Sequence, residues 1–456
     1  MPVSDLHADY SRYADEWKRT EAATIGSPAL RRDNELFLPS PYVGDDVELY
    51  AQYCARAYYV NYTGRTEKVL QGMVFRKPAT QVVPKKMQHF LEDMDGNGES
   101  IAQIAKTALF QRLRKDRFLF LTDYSGVSEG MTEAQEKAAG LRPICATYKA
   151  ESLVNWKWGS CSGKRQLVLA VLKECKDISE DEFGHDTEDQ YRVLRLRDGY
   201  YTQQLYNDKD EPVTEEWYPL AKGKKLDYIP LRGVRPLEVA ALQPVAEVNL
   251  ALYRNTAAFE DLVAIMGSPI LHIDTGLTTV EDWKRHNKQK VKVGMRTGVI
   301  TKNGNVSFAQ AAERPLIRTA KEDKVEELAA IGASIVTRGG QAETAEAARL
   351  KAGSETSQLD SMVGDLSEDL EGVLEDMARF MGLNPDEVNY ALNTDFFDTA
   401  LTAGDLSAIV QGAILYGDDA ALEMIRKGRI ELPTDKDNAT LMLEAASVDR
   451  GGFDGL

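Results

Sequence analysis

Cysteine, histidine and long apolar runs are all scarce in this 456-residue chain. The four cysteines, Cys54, Cys145, Cys161 and Cys175, form no C-x-x-C and no dense framework. That excludes a disulfide scaffold and implies free thiols in a reducing compartment. The five histidines, His7, His89, His185, His272 and His286, include no pair at metal-ligand spacing and no H-E-x-x-H. No metal and no cofactor is therefore expected. The longest unbroken apolar run is Leu167–Leu172, whereas a membrane-spanning helix needs about 20 residues. Met1–Asp5 has no basic stretch leading into an apolar one, so no secretory signal is expected. Positive charge is also short. Lys and Arg total 55 against 72 Asp and Glu, a net charge of −17. A free chain of that sign repels a phosphate backbone, which argues against groove-reading of DNA by monomers. An apolar fraction of 43% with 28% charged residues is ordinary for a folded chain and excludes wholesale disorder.

Local patterning supplies the rest. Residues 1–40 are polar, and their start is expected to be poorly ordered. Tyr50, Tyr53, Ala57, Val60, Val69 and Met73 recur at three- and four-residue steps, the mark of helix, although Gly64 interrupts the stretch. Pro84 opens a helix expected over Lys85–Met94, stopped by Asp95-Gly96-Asn97-Gly98. Ser100 reads as the N-cap of Ile101–Lys115, followed by a strand at Phe118–Thr122. From about 142 to 235 the runs Ala146–Trp158, Gln166–Lys173 and Tyr191–Arg197 predict an antiparallel β unit. Asp198-Gly199 is a hairpin signal between Arg192–Arg197 and Tyr200–Tyr206. A helix of about 23 residues is predicted from Pro244 to Gly267. A β-leaning segment, 270–316, follows. Further helices are predicted over about Thr319–Val336 and Ala342–Met381, with short ones near 403–416 and 418–427.

Several motifs come close to known chemistry and fail on a named part. Asp93-Met94-Asp95-Gly96-Asn97-Gly98 has the first ligands of a calcium loop, but Ile104 stands where the bidentate Glu is required. Gly159-Ser160-Cys161-Ser162-Gly163 matches a cysteine nucleophile elbow, yet a strand follows it where a helix should open. Gly159 to Lys164-Arg165 is one residue short of a phosphate-binding loop. Trp156 and Trp158 alternate on one strand and read as packing or inter-subunit contacts. No acid–base–nucleophile constellation emerges, so the chain is not expected to be an enzyme.

Two features remain. The segment 270–316 carries eight basic residues, Lys284, Arg285, Lys288, Lys290, Lys292, Arg296, Lys302 and Arg314, against four acidic ones. It is either a solvated basic face or a docking surface for an acidic partner or DNA. The last long helix carries ten acidic and three basic residues between Glu343 and Arg379. Its C-terminal half has an apolar seam, Leu359, Val363, Leu366, Leu370, Val373, Met377 and Phe380, and its N-terminal half is mostly small. It reads either as an amphipathic helix in a bundle or as an oligomer helix whose acids face an aqueous space.

The order helix, insert, helix, Gly-containing loop, very long helix resembles the core of tailed-phage portal proteins. Local stretches look like one portal branch long known only as an uncharacterised phage domain family. They are Tyr59–Pro78 (YVNYTGRTEKVLQGMVFRKP), Arg142–Trp156 (RPICATYKAESLVNW), Tyr191–Tyr200 (YRVLRLRDGY), Leu226–Pro230 (LDYIP), Ala246–Ile265 (AEVNLALYRNTAAFEDLVAI) and Gln341–Gly353 (QAETAEAARLKAG). The resemblance runs from about residue 45 to 385. It implies an α+β portal fold with a helix-rich core, antiparallel β in wing and clip, and a long wing helix. Residues 1–238 would be the wing, 239–267 the first stem helix, 268–317 the clip and 318–336 the second stem helix. Residues 337–345 would be the tunnel loop, 346–382 the long wing helix and 383–456 a short crown and tail.

The same resemblance implies a ring, a homo-oligomer of twelve chains at one capsid vertex of a virion, made in the host bacterial cytoplasm. Its partners would be the major capsid protein, the terminase large subunit, adaptor or neck proteins, and double-stranded DNA passing through without sequence specificity. Arg338, Gly339, Gly340, Gln341 and Arg349 would line the channel. Lys284, Arg285, Lys288, Lys290, Lys292 and Arg296 would form the clip docking surface. The crown is short and the loop lacks bulky residues, both departures from better-known portals. Acidic walls would let DNA slide, where a basic channel would trap it by counterion release. Another ring-forming virion protein of the neck or head is the alternative.

Overall fold

A computed structural model describes residues 2–41, 47–124, 142–161, 163–179, 181, 183–266, 270–273, 306–309, 315–334 and 358–396. The chain divides into two units, 1–394 and 395–456, and the description below concerns the first. The helices of ten or more residues among the described residues are α1 (Ala8–Ile25), α2 (Val47–Arg56), α3 (Tyr62–Val74), α4 (Ile101–Lys115), α5 (Gln243–Met266), α6 (Pro315–Ser334) and α7 (Gln358–Met381). The strands are β1 (Thr80–Val82), β2 (Phe118–Tyr124), β3 (Pro143–Lys149), β4 (Leu153–Cys161), β5 (Lys164–Asp177), β6 (Thr187–Arg197), β7 (Tyr200–Tyr206), β8 (Leu220–Ala221), β9 (Lys224–Lys225), β10 (Leu231–Arg232), β11 (Ile270–Ile273), β12 (Val306–Ala309) and β13 (Asn389–Ala391). Every pairing among them is antiparallel, so the fold is α+β.

Local chemistry explains the main elements. Ser100 and Gln103 form a reciprocal capping box at the start of α4, with Gln103 Oε1 accepting from the Ser100 backbone at 2.8 Å. β4, β5, β6 and β7 form a four-stranded meander. The β6–β7 turn places Asp198 at φ 52° and Gly199 at φ 82°. Two successive positive φ values are what a two-residue hairpin needs to match strand twist. β2 is the central strand of the sheet β10-β2-β3. It is buried from Phe118 to Thr122, which explains its unbroken apolar text. The single run expected over Ala146–Trp158 is two strands, β3 and β4, because a 3-10 turn at Ala150–Ser152 breaks it. The helix expected over Lys85–Met94 is a 3-10 helix over Lys85–Leu91.

The N-terminus departs from expectation most. Residues 2–7 form a strap across the meander. The Ser4 backbone donates to Asp210 Oδ1 at 2.8 Å, and the His7 backbone donates to the Val154 carbonyl at 2.8 Å. His7 stacks on Trp156 with ring centroids 3.9 Å apart, and the Arg117 guanidinium lies 4.3 Å from the Trp156 ring. Polar composition hid this, because backbone hydrogen bonds need no apolar side chain. The packing reading of Trp156 holds.

Helix α7 sits against β2, β3, β10 and α4. All seven seam residues, Leu359, Val363, Leu366, Leu370, Val373, Met377 and Phe380, are buried. Residues 342–357, where the sequence extends this helix, lie outside the described residues. The acids on its described part do not, as a set, face an aqueous space. Asp369 pairs with Arg112 and Arg235. Asp376 is fully buried and meets Arg232, Arg379 and the Tyr228 hydroxyl at 2.7–3.0 Å. A buried carboxylate needs a cation and hydrogen-bond donors to offset its lost hydration, and these arginines supply both. Gly233, between Arg232 and Arg235, has φ 85°. A Cβ there would fall 2.3 Å from the Phe118 carbonyl oxygen, so only glycine lets this segment approach β2.

Candidate functional site: the paired helices below the insert

The two helices expected before and after the insert are α5 and α6, which pack against each other. α5 begins at Gln243, one residue before Pro244, within the usual uncertainty of a helix end. α6 runs Pro315–Ser334, where about Thr319–Val336 is expected. Asn249 of α5 is almost fully buried. Its Oδ1 accepts from the Thr63 backbone and hydroxyl, both at 3.0 Å, and its Nδ2 donates to the Val60 carbonyl at 3.0 Å. The Tyr59 hydroxyl sits 2.7 Å from the same Oδ1, and burial pushes its phenol up. Both ends of the amide thus tie the 59–63 segment to the first half of α5.

Near the other end of α5, Arg56 of α2 pairs with Asp261 at 2.7 Å. Gly332, near the end of α6, lies beside Thr66 of α3. The start of α5 and the end of α6 therefore meet α3 together, which makes the pair antiparallel. Beyond the other ends, β11 pairs with β12 through Ile270↔Ala309 to Ile273↔Val306. The chain leaves α5, enters the insert on one strand and returns on its neighbour.

Burial along the two helices is unequal. α5 buries Val245, Ala246, Leu250, Leu252, Tyr253 and Ala257. On α6 the buried side chain among the described residues is Leu328. Lys321 turns inward, with its ammonium 4.4 Å from the Phe259 ring, while Glu322, Asp323, Glu326 and Glu327 are exposed. Between α6 and the 58–62 segment lies an open cleft of about 470 Å³, with Tyr58, Val60, Tyr62 and Leu252 along the body side and Arg318 and Val325 among its α6 lining.

The residues expected to line a channel, Arg338, Gly339, Gly340, Gln341 and Arg349, lie outside the described residues. So do those expected to form a docking surface, Lys284, Arg285, Lys288, Lys290, Lys292 and Arg296. The near-motifs do fall on described backbone. Asp93 Oδ1 accepts from the Gly96 and Gly98 backbones, both at 2.9 Å, and Asp95 Oδ1 accepts from Asn97 and Glu99 at 2.9 and 3.0 Å. The Gly98 N–H, with further help from Arg142, holds the Asp93 carboxyl below its ordinary value. Both carboxylates serve the turn. Cys161 pairs with Lys164 across the β4–β5 hairpin, not at a strand-to-helix elbow. Cys54, Cys145 and Cys175 are free thiols, and burial raises the Cys145 thiol. No described helix is long and apolar enough to cross a membrane.

Sequence reasoning assigned no role to Asn249, or to Arg112, Arg232 and Arg235. A signal for the arginines existed. Asp369 and Asp376 sit beside the apolar seam of α7, and acids in that place require cationic partners from elsewhere.

A family described as a domain of unknown function, DUF4055, matches residues 241–381, which run from just before α5 to the end of α7. No curated protein matches in sequence. A chain in the virion of a native gene transfer agent particle is 12% identical, covering 87% of this chain and 93% of that one at a TM-score of 0.37. A chain in the neck of an empty gene transfer agent particle is 11% identical, covering 84% and 90% at a TM-score of 0.37. Likenesses of that size do not establish a shared fold.

Proposed function

We propose that this chain is a structural subunit of a phage-type particle, and specifically a portal protein. In this reading it assembles as a ring of about twelve copies at one capsid vertex. DNA enters and leaves through the ring, and the terminase and then neck proteins dock on the clip. The single observation that carries the reading is the antiparallel α5–α6 pair, interrupted by an insert that departs and returns on paired strands. α7 follows in the same order as the resemblance requires. α5 and α6 are the stem, 268–317 the clip and 337–345 the tunnel loop. Arg338 and Gln341 face the DNA there, with Gly339-Gly340 giving the loop backbone freedom. The six basic clip residues offer the motor a landing surface opposite in sign to the rest of the chain.

Two measurements test this. Native mass spectrometry and negative-stain imaging of the purified chain should show closed rings, and monomers at every salt and concentration would refute the ring. Arg338→Glu should leave rings intact and lower packaged DNA or its retention. Loss of assembly, or unchanged packaging, would remove the loop from the channel.

A further inference from the structure

α5 has two differently covered flanks. One flank carries Leu250, Tyr253, Ala257 and Asp261, in the cluster that holds Tyr53 of α2 and in the Arg56 ion pair. The other carries Leu252, Thr256 and Phe259, toward α6 and the cleft. At 3.6 residues per turn these flanks point about 140° apart around the helix. Each ends in an uncovered surface. α2 turns Tyr53 inward, with Ala57 buried just past its end, and leaves Val47, Glu48, Ala51, Gln52 and Ala55 exposed, with Val47 at 75%. The cleft presents Tyr58 at 48% and Val325 at 36% exposure, with Arg318 on α6.

We propose that these two surfaces are the halves of one interface between neighbouring copies of this chain. The exposed face of α2 from one copy seats in the α6 cleft of the next. The proposal rests on the ring reading above and adds which residues meet. Three observations select a second copy as the occupant. The surfaces lie on different sides of one helix, which is the arrangement a head-to-tail ring contact needs. Small residues at Ala51 and Ala55 permit close approach to the aromatic side of the cleft, with Val47 beside them. Glu48 on the entering helix is opposite in sign to Arg318, the exposed cation at the start of α6, while the acids of the cleft lining, Glu322 and Glu326, stand one and two turns further along that helix.

The test uses the full chain with Cys161→Ser and Cys175→Ser as background. Ala51→Cys and Val325→Cys are placed in one chain and oxidised under conditions where rings form. A covalent ladder reaching the ring number on a non-reducing gel is expected. Either single variant alone should give no ladder. In the unmodified chain, Glu48→Arg or Arg318→Glu should each weaken assembly per interface by about two- to five-fold at low salt, the size of an exposed ion pair. The double reversal should restore it, and far-ultraviolet circular dichroism should match throughout. Rings without the ladder and without charge rescue overturn this pairing and leave the ring reading standing. Monomers alone would overturn both. Covalent dimers from a single variant would indicate a symmetric contact and overturn the pairing.

Discussion

Helices α6 and α7 are similar in length, 20 and 24 residues, both carry many acids, and they meet opposite fates. α7 is walled in on nearly every side, and its key acids are answered by arginines from α4 and the segment around β10. Among the described residues α6 rests mainly on α5, touches α3 only near its end, and presents its acids outward. The difference lies in where the acids stand. On α7, Asp369 and Asp376 flank the apolar seam, so burial of the seam drags them inside. On α6, Glu322, Asp323, Glu326 and Glu327 stand away from Leu328, so nothing forces their burial. One helix is part of the packed core. The other keeps its acidic face in solvent.

The comparison breaks first at the ion-pair ladder. Arg232→Ala should cost about 3–5 kcal/mol in denaturant unfolding, because it strips a partner from a fully buried carboxylate. Replacing Arg232 by Met and Asp376 by Leu together should cost less than Arg232→Ala alone. A small loss from Arg232→Ala alone would mean that Arg379 and Tyr228 already satisfy the acid. Next comes the seam. Leu370→Ala should cost about 2–5 kcal/mol, and Val325→Ala on α6 less than about 0.5 kcal/mol in the monomer. Similar effects at the two sites would erase the distinction between the helices.

A smaller effect tests the joint after α4. Asp116 caps that helix at φ 59° and accepts from the Glu238 backbone at 2.7 Å. Burial raises its pKa to about 6, above the usual value near 4. The folded state therefore keeps the proton where the unfolded chain has lost it. The stability this group contributes is full below about pH 4 and is lost as pH rises through about 6. Asp116→Asn keeps the acceptor and tolerates positive φ. It should stabilise by about 1–2 kcal/mol at pH 7, and the gain should vanish near pH 4 in urea titrations at the two pH values.

Much of this architecture was legible in the text because its signals are local. The Asp198-Gly199 hairpin, the Ser100 cap, the α5 boundaries and the α7 seam each follow from a few adjacent residues. What escaped was long-range. The strap depends on Ser4 meeting Asp210, and the ladder on Arg112 meeting Asp369, pairs separated by 206 and 257 positions. No window reading can join them. The break between β3 and β4 escaped for another reason, since Ala150–Ser152 carries no Gly or Pro to announce a turn.

The pairing of Ile273 with Val306 has a practical consequence. Residues that face each other across an antiparallel ladder are about 5 Å apart, a gap that a two-residue turn closes. The entrance and exit of the insert are therefore already joined by the protein, whatever lies between. Changing the length of the intervening stretch costs little closure entropy, about 0.6 kcal/mol for each doubling. Replacing residues 274–305 by Asn-Gly should therefore leave the β11–β12 pairing and the α5–α6 packing in place, with the helical circular dichroism of the remaining chain unchanged.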